Sequence, residues 1–280
     1  MNKEKYKVDL SVSSSNDVRI KANRYLCDGI NLLDVGCASG DFADLVSRTH
    51  AIEIHGMEYD VESLKVASSK GLFTRLARIN LNDFNEDEFQ EYKNYFDVIT
   101  LLDVLEHTID PAKSLGKIMK FLKRGGKIIV SVPNISHGSI KENLLNDKFE
   151  YTDTGILDDT HLRFFTGKTL AGFFAKMGLE IINRELKLED VEFLPFSLGN
   201  YVVRKSPESY VYQYMVVLKQ SDLLELELII KNESVMAISW VNVRGELWKL
   251  RMMSLLGWLS ARVLPGNKKI RMYVKQLLGI

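Results

Sequence analysis

Residues 31–60 read NLLDVGCASGDFADLVSRTHAIEIHGMEYD, and this stretch decides the fold. An apolar run is followed by a glycine-rich turn, a helical segment, a second apolar run and then acids. That is the order of a βαβ unit with a ligand-ready turn after its first strand. Leu32, Leu33 and Val35 are expected to form the buried strand. Gly36, Ala38 and Gly40 make a G-x-A-x-G turn, in which backbone approaches a ligand where a larger side chain would collide with it. Glu58 ends the second strand 22 residues after Gly36, close to the spacing at which an acid hydrogen-bonds ribose hydroxyls. A ribose-bearing ligand is expected here.

The turn also narrows the choice of nucleotide. A dinucleotide fingerprint places glycine at positions 36, 38 and 41, whereas this chain has Ala38 and Asp41 at the last two. Asp34 and Asp41 bracket the loop, so a pyrophosphate at the helix start would face carboxylates rather than a clean positive helix end. A cationic ligand without phosphates suits that charge pattern. S-adenosylmethionine, with its sulfonium and ammonium groups, is such a ligand.

Four segments in order, LLDVGCASG, FDVITLLDVLEHTIDP, LKRGGKIIVSVPN and DDTHLRFFT, make residues 20–220 resemble the class I S-adenosylmethionine-dependent methyltransferases. The resemblance implies an α/β, Rossmann-like doubly wound sheet of seven strands, mostly parallel with one antiparallel strand. It implies S-adenosylmethionine as cofactor, with Asp34, Gly36, Ala38 and Gly40 beside its methionine part and Glu58 at the ribose. Asn80 and Leu81, after the third strand, are placed near adenine, with Asn82 and Asp83 as the competing register. Leu102, at the end of the fourth strand, offers backbone to the methionine end.

Hydrophobic periodicity fills in the rest. A covering helix is expected over 19–28, and strands over 31–35, 52–58, 73–78, 96–102 and 126–132. Helices are expected over 41–48, 61–69, 111–122 and 167–177, with Pro111 in a first turn and Gly125-Gly126 as the break before a strand. Residues 179–186 and 210–218 alternate like two antiparallel strands. After Pro133, residues 134–166 lack a regular pattern, and a connection of that length is expected to be a lid or substrate loop. Residues 1–19 are polar and are expected to be a flexible segment.

The chain has 280 residues, with 37 basic and 37 acidic side chains and no net charge. That balance argues against nucleic acid as the main substrate. Cys27 and Cys37 alone imply no disulfide framework. The first residues, MNKEKYKVDL, carry charges but no apolar core of a signal peptide, so a cytoplasmic location is expected. Residues 221–280 read as a basic, apolar helical appendage. From 241 on there are eight basic residues against the single acid Glu246. Packing on its own domain or on a second copy in a homodimer is one reading of the appendage; peripheral membrane contact is the other.

Methyl transfer from a sulfonium is an in-line displacement, so a nucleophile must be aligned and water excluded. A hydroxyl acceptor also needs a group to take its proton. His107 follows the fourth strand and His161 lies in the long connection, and both are candidate proton acceptors. Asn134, His137 and Arg163 are expected on the substrate side. Asp158 and Asp159 are placed to orient His161 or pair with Arg163, and Glu106 reads as structural. The D-x-x-E-H pattern at Asp103, Glu106 and His107 is similar to that of metal-assisted RNA 2′-O-methyltransferases. With no secure second histidine beside it, no metal is expected. O-methylation of a small polar acceptor, such as a sugar or cell-surface glycan precursor, is the leading expectation. An RNA or protein methyltransferase and a non-catalytic S-adenosylmethionine-binding scaffold are the alternatives.

Overall fold

In the computed structural model of the chain, residues 16–189, 206–238 and 242–245 are described. Seven strands form one sheet: β1 Asn31–Val35, β2 Glu53–Glu58, β3 Arg75–Arg78, β4 Phe96–Leu102, β5 Leu122–Pro133, β6 Leu179–Leu188 and β7 Val211–Gln220. The order across the sheet is β3-β2-β1-β4-β5-β7-β6. β1 to β5 pair in parallel, and β7 runs antiparallel to both β5 and β6. The doubly wound sheet with one antiparallel strand is therefore present. The helices are α1 Val18–Asn23, α2 Asp41–Thr49, α3 Val61–Ser69, α4 Pro111–Ile118, α5 Gly138–Leu145, α6 Gly167–Lys176 and α7 Glu225–Met236, and residues 242–245 are helical as well.

The strands read as nearly unbroken apolar runs because helices cover both faces of the sheet. Leu33, Val35, Ile99, Leu101, Ile128 and Val130 are buried in one layer, while Leu32, Val98 and Ile129 point into the other with Val46 of α2. Winding reverses between β1 and β4. The crevice beyond the carboxyl ends of strands at such a reversal is where open α/β sheets bind ligands.

Three expectations from sequence need correction. The covering helix is short, running from Val18 to Asn23 with Asp17 as its cap, its carboxylate accepting from the Arg19 amide at 2.8 Å. α4 ends at Ile118 and tightens into a 3-10 turn over Met119–Phe121. The glycine pair does not precede β5 but lies within it. Pairing with β4 jumps from Phe96↔Leu122 to Val98↔Lys127, and Gly125 takes φ +81° in the extra loop. A Cβ on Gly126 would sit 2.9 Å from the Asp97 carbonyl oxygen, so the irregularity requires a residue without one.

The connection from 134 to 166 contains α5, is tied to the turn after β4, and has its two ends bonded to each other. The Leu162 and Arg163 amides donate to the Glu106 carbonyl at 2.7 and 3.0 Å, and the Ile135 amide donates to the Phe165 carbonyl at 3.0 Å. α7, expected at the start of the appendage, packs on the main domain through buried Asn232. Its Oδ1 accepts from the Ile181 amide at 2.8 Å and its Nδ2 donates to the Leu179 carbonyl at 3.0 Å. Of the segment 1–19 expected to be flexible, residues 1–15 lie outside the described residues, as does most of the basic stretch from 241, on which the expected dimer or membrane contact falls. Among the described residues no helix is long and apolar enough to cross a membrane.

Candidate functional site

The glycine turn is held by hydrogen bonds between neighbouring strand ends. The Gly36 and Cys37 amides both donate to the Met57 carbonyl, at 2.7 and 3.1 Å. Gly36 takes φ +72°, and a Cβ there would stand 2.5 Å from Cγ2 of Val104. Backbone of the turn and the residue following β4 thus touch where only glycine fits. Ala38, at φ +45°, adopts the left-handed region despite its side chain, a strain that recurs at ligand-binding turns. Gly40, at φ +76°, starts α2.

Two acids face this turn. Glu58 accepts from the Ala38 amide at 2.8 Å through one oxygen, and from the Tyr59 and Asp60 amides at 2.7 Å through the other. It therefore ties the end of β2 to the turn. Asp34 is buried, with Oδ1 accepting from the Thr100 hydroxyl at 2.7 Å and Oδ2 without any partner. Burial, with the Glu58 charge adding to it, pushes the Asp34 carboxyl up to about 7 against the Thr100 hydrogen bond and the distant Arg19 charge. A cationic ligand group would complete Oδ2 and favour its ionised form. A glycine-lined turn with one orphaned carboxylate oxygen fits the ammonium-bearing end of S-adenosylmethionine. The Cys37 thiol is pushed far up by burial and by Asp34 and Glu58, so it is no nucleophile.

The remaining residues expected at the cofactor follow or close β3 and β4 at their carboxyl ends. Asn80 Oδ1 accepts from the Asn82 amide at 3.1 Å, making a side-chain turn after β3. Asn82, the competing register, accepts from the Ile109 amide at 2.8 Å and so tethers this loop to the turn after β4. Leu81 packs half-buried against the core and its carbonyl accepts from the Ser114 hydroxyl at 3.0 Å. Leu102, also half-buried, closes β4 opposite Ser131.

Beyond β4 the chain turns sharply, with Asp103 at φ +58° and its carboxylate taking hydrogen bonds from Ser131 and Gln213. The 3-10 turn Leu105–His107 follows. Glu106 in this turn is fully buried and neither of its carboxylate oxygens has a hydrogen-bond partner. Burial above all, with Asp103 and Asp158 adding to it, raises its carboxyl well above the usual carboxylate value. Three of the five buried side-chain polar atoms without a partner, among the described residues, belong to Asp34 and Glu106. Such orphans in a folded protein call for an explanation.

The long connection brings His161 to His107, their ring centroids 4.7 Å apart and edge to face. His161 is buried, with Nδ1 2.9 Å from the Ile156 carbonyl. His107 Nδ1 lies 3.3 Å from the Thr160 carbonyl and 3.1 Å from its hydroxyl. Burial, and then the neighbouring His161, lower the pKa of His107, keeping it neutral. Sequence alone could not place a second histidine beside the D-x-x-E-H turn; the tertiary structure supplies it. Asp158 accepts from the Thr160 hydroxyl at 2.6 Å through its carboxylate and from the His161 amide at 3.0 Å through its carbonyl, so it supports the partner of His107 and the turn that carries His161.

The residues expected on the substrate side have local roles here. Asn134 is fully buried, donating to the Val211 and Glu208 carbonyls at 2.7 and 3.1 Å and accepting from the Ser136 amide at 2.9 Å. His137 caps α5, its Nδ1 2.8 Å from the Ser139 hydroxyl, and burial drives its pKa down to about 4. Arg163 donates to the Ile109 carbonyl through Nε at 3.0 Å. Two residues escaped sequence reasoning: Thr100, a lone hydroxyl in an apolar strand, and Thr160.

A family profile described as a methyltransferase domain matches residues 17–184 of the chain. The ubiquinone biosynthesis O-methyltransferase of Shewanella sp. (strain ANA-3) is 25% identical over 194 residues, covering 69% of this chain and 78% of that relative. The enzyme of the same name from Proteus mirabilis (strain HI4320) is 31% identical over 122 residues, covering 42% of this chain. This chain spans only about half of the Proteus relative, 49% of its length. Among solved structures, the [4+2]-cyclase SpnF superposes with a TM-score of 0.52 at 18% identity, covering 77% of this chain and 86% of that one. A putative methyltransferase from Haloferax volcanii, solved with its Trm112 activator, gives 0.52 at 13% identity, covering 74% and 90%; both show the shared fold. With the ordered motifs, the strand order and the glycine turn, the chain belongs to the class I S-adenosylmethionine-dependent methyltransferases.

Proposed function

We propose that this enzyme methylates a hydroxyl oxygen on a small, apolar, ring-bearing acceptor. The observation that carries the reading is the His107–His161 pair at the carboxyl end of β4, in the turn whose Val104 packs on the glycine turn. An alcohol or phenol is a poor nucleophile while protonated, and the pair is the group on this edge suited to act on its proton. The relatives' printed name, an O-methyltransferase, supports oxygen as the atom modified.

S-adenosylmethionine supplies the methyl group from a cationic sulfur and leaves as a neutral thioether. The chain's own residues bind and orient. Asp34 meets the cationic end, Glu58 meets the ribose as it steadies the turn, and Asn80 and Leu81 border the adenine. The connection from 134 to 166 buries His161 and leaves His107 half-buried at the same place. An aromatic series runs from half-exposed Tyr151 and Phe149 through Phe164 to His161, a surface suited to a flat apolar ring. The sugar or glycan acceptor expected from sequence has no counterpart in the relatives named above, and this surface favours a ring instead.

The test is methyl transfer at saturating S-adenosylmethionine to a panel of catechols, monophenols and sugars. Catechols or phenols should be methylated on oxygen. His107→Ala and His161→Ala should each lower the maximal rate at least a hundredfold, in line with the usual contribution of a proton-handling group, about 10²–10⁴. If both variants keep the wild-type rate, the pair has no part in the chemistry and the reading fails.

A further inference from the structure

Glu106 is buried without a donor for either carboxylate oxygen. A carboxylate kept out of water without a partner is costly, and is retained where an opposite charge completes it. What faces it is the imidazole pair. One ligand-capable atom each from Glu106, His107 and His161 lies within 4.8 Å of the other two. Ligands of a tetrahedral ion, each at about 2.1 Å, stand about 3.4 Å apart, so side-chain movements of about 1 Å close the set.

The histidine tautomers are fixed from outside the cluster. His107 Nδ1 faces the Thr160 carbonyl and His161 Nδ1 faces the Ile156 carbonyl. A carbonyl only accepts, so each Nδ1 carries the proton and each Nε2 is left with a free lone pair. Tethering one ring nitrogen to a carbonyl is how proteins orient an imidazole whose other nitrogen binds a metal. Behind His107, the Thr160 hydroxyl is itself held by the buried carboxylate of Asp158.

We propose that Glu106, His107 and His161 form a divalent transition-metal site that holds the acceptor hydroxyl for methylation. Two imidazoles and one carboxylate suit zinc-like ions and leave coordination positions open for a substrate oxygen. The ion's role rests on the O-methylation reading above, whereas its binding does not. A bound cation acidifies the hydroxyl it holds. The hydroxyl proton passes to solvent and an oxygen lone pair forms the new O–CH3 bond. The S–CH3 bond breaks with its electrons left on sulfur.

Zinc is the probe. The metal-stripped full chain is titrated with Zn2+ against a chromogenic chelator, and methyl transfer is measured in parallel. The wild type should take up one zinc per chain, with at least tenfold weaker binding in Glu106→Gln and in His161→Gln. Glu106→Gln keeps the side chain's size but offers no carboxylate, so zinc should raise its unfolding temperature far less than that of the wild type. Methyl transfer by the stripped wild type should fall at least tenfold and return with zinc. Absence of stoichiometric uptake, or variants that bind zinc like the wild type, overturns the site and leaves Glu106 a neutral buried acid. Zinc binding with transfer unchanged by stripping overturns the acceptor-holding role. Zinc binding of the expected kind, with no hydroxyl acceptor methylated, supports the site and refutes only the acceptor reading.

Discussion

Asp34→Asn is the perturbation with the sharpest consequence. The carboxyl is 3% exposed, its Oδ2 has no partner, and its pKa is about 7 in place of the usual 3.8. Because the folded state holds this proton more tightly than the unfolded chain, stability contributed by the protonated form is complete at low pH. It is lost as pH rises from about 4 to 7. At 1.36 kcal/mol per unit, the ionised group costs the ligand-free fold about 4 kcal/mol above pH 7. Asparagine keeps the Thr100 hydrogen bond and removes the charge. In urea unfolding of the ligand-free protein, the variant's advantage over wild type should therefore grow by about 2 kcal/mol between pH 5.5 and pH 8. The same substitution should weaken S-adenosylmethionine, and wild-type affinity should rise with pH up to about 7 and then level off, since the cationic ligand favours the carboxylate. An advantage that does not change with pH would refute the argument, because it would mean that Asp34 titrates alike folded and unfolded.

Two further outcomes follow from the same turn. Glu58→Ala should weaken S-adenosylmethionine by about 1.5–3 kcal/mol, the usual contribution of a hydrogen bond to a charged group, and calorimetry with unchanged affinity would remove Glu58 from the ribose role. Gly36→Ala places a methyl 2.5 Å from Val104 at φ +72°, so it should cost about 1–3 kcal/mol in urea unfolding; pairing it with Val104→Ala should recover part of the loss, and no recovery would refute the steric account.

The glycine turn and the acid at the end of β2 were legible because they depend on short-range features. The spacing of Gly36, Ala38, Gly40 and Glu58 lies within one βαβ unit, where strand and helix periods and the demands of a positive φ leave few alternatives. Thr100 was missed because a hydroxyl in an apolar strand reads as β-propensity; only the β1–β4 register, Asp34↔Thr100, gives it a partner. The interruption inside β5 was misplaced for a similar reason, since a glycine pair marks a break equally well before a strand and within one.

The acceptor side is a matter of long-range contact. Sequence placed His107 and His161 in separate segments, and nothing in the intervening residues specified that the second would fold back onto the first. That contact is decided by the amides of Leu162 and Arg163 pairing with the Glu106 carbonyl and by Ile140, Ile156 and Leu157 packing beneath the loop. Sequence by itself determined the family, the sheet and the cofactor turn, because local hydrophobic period and backbone sterics encode them. Tertiary structure alone decided that Glu106 loses its water and gains two imidazoles, because burial and proximity belong to the packed whole rather than to any one segment.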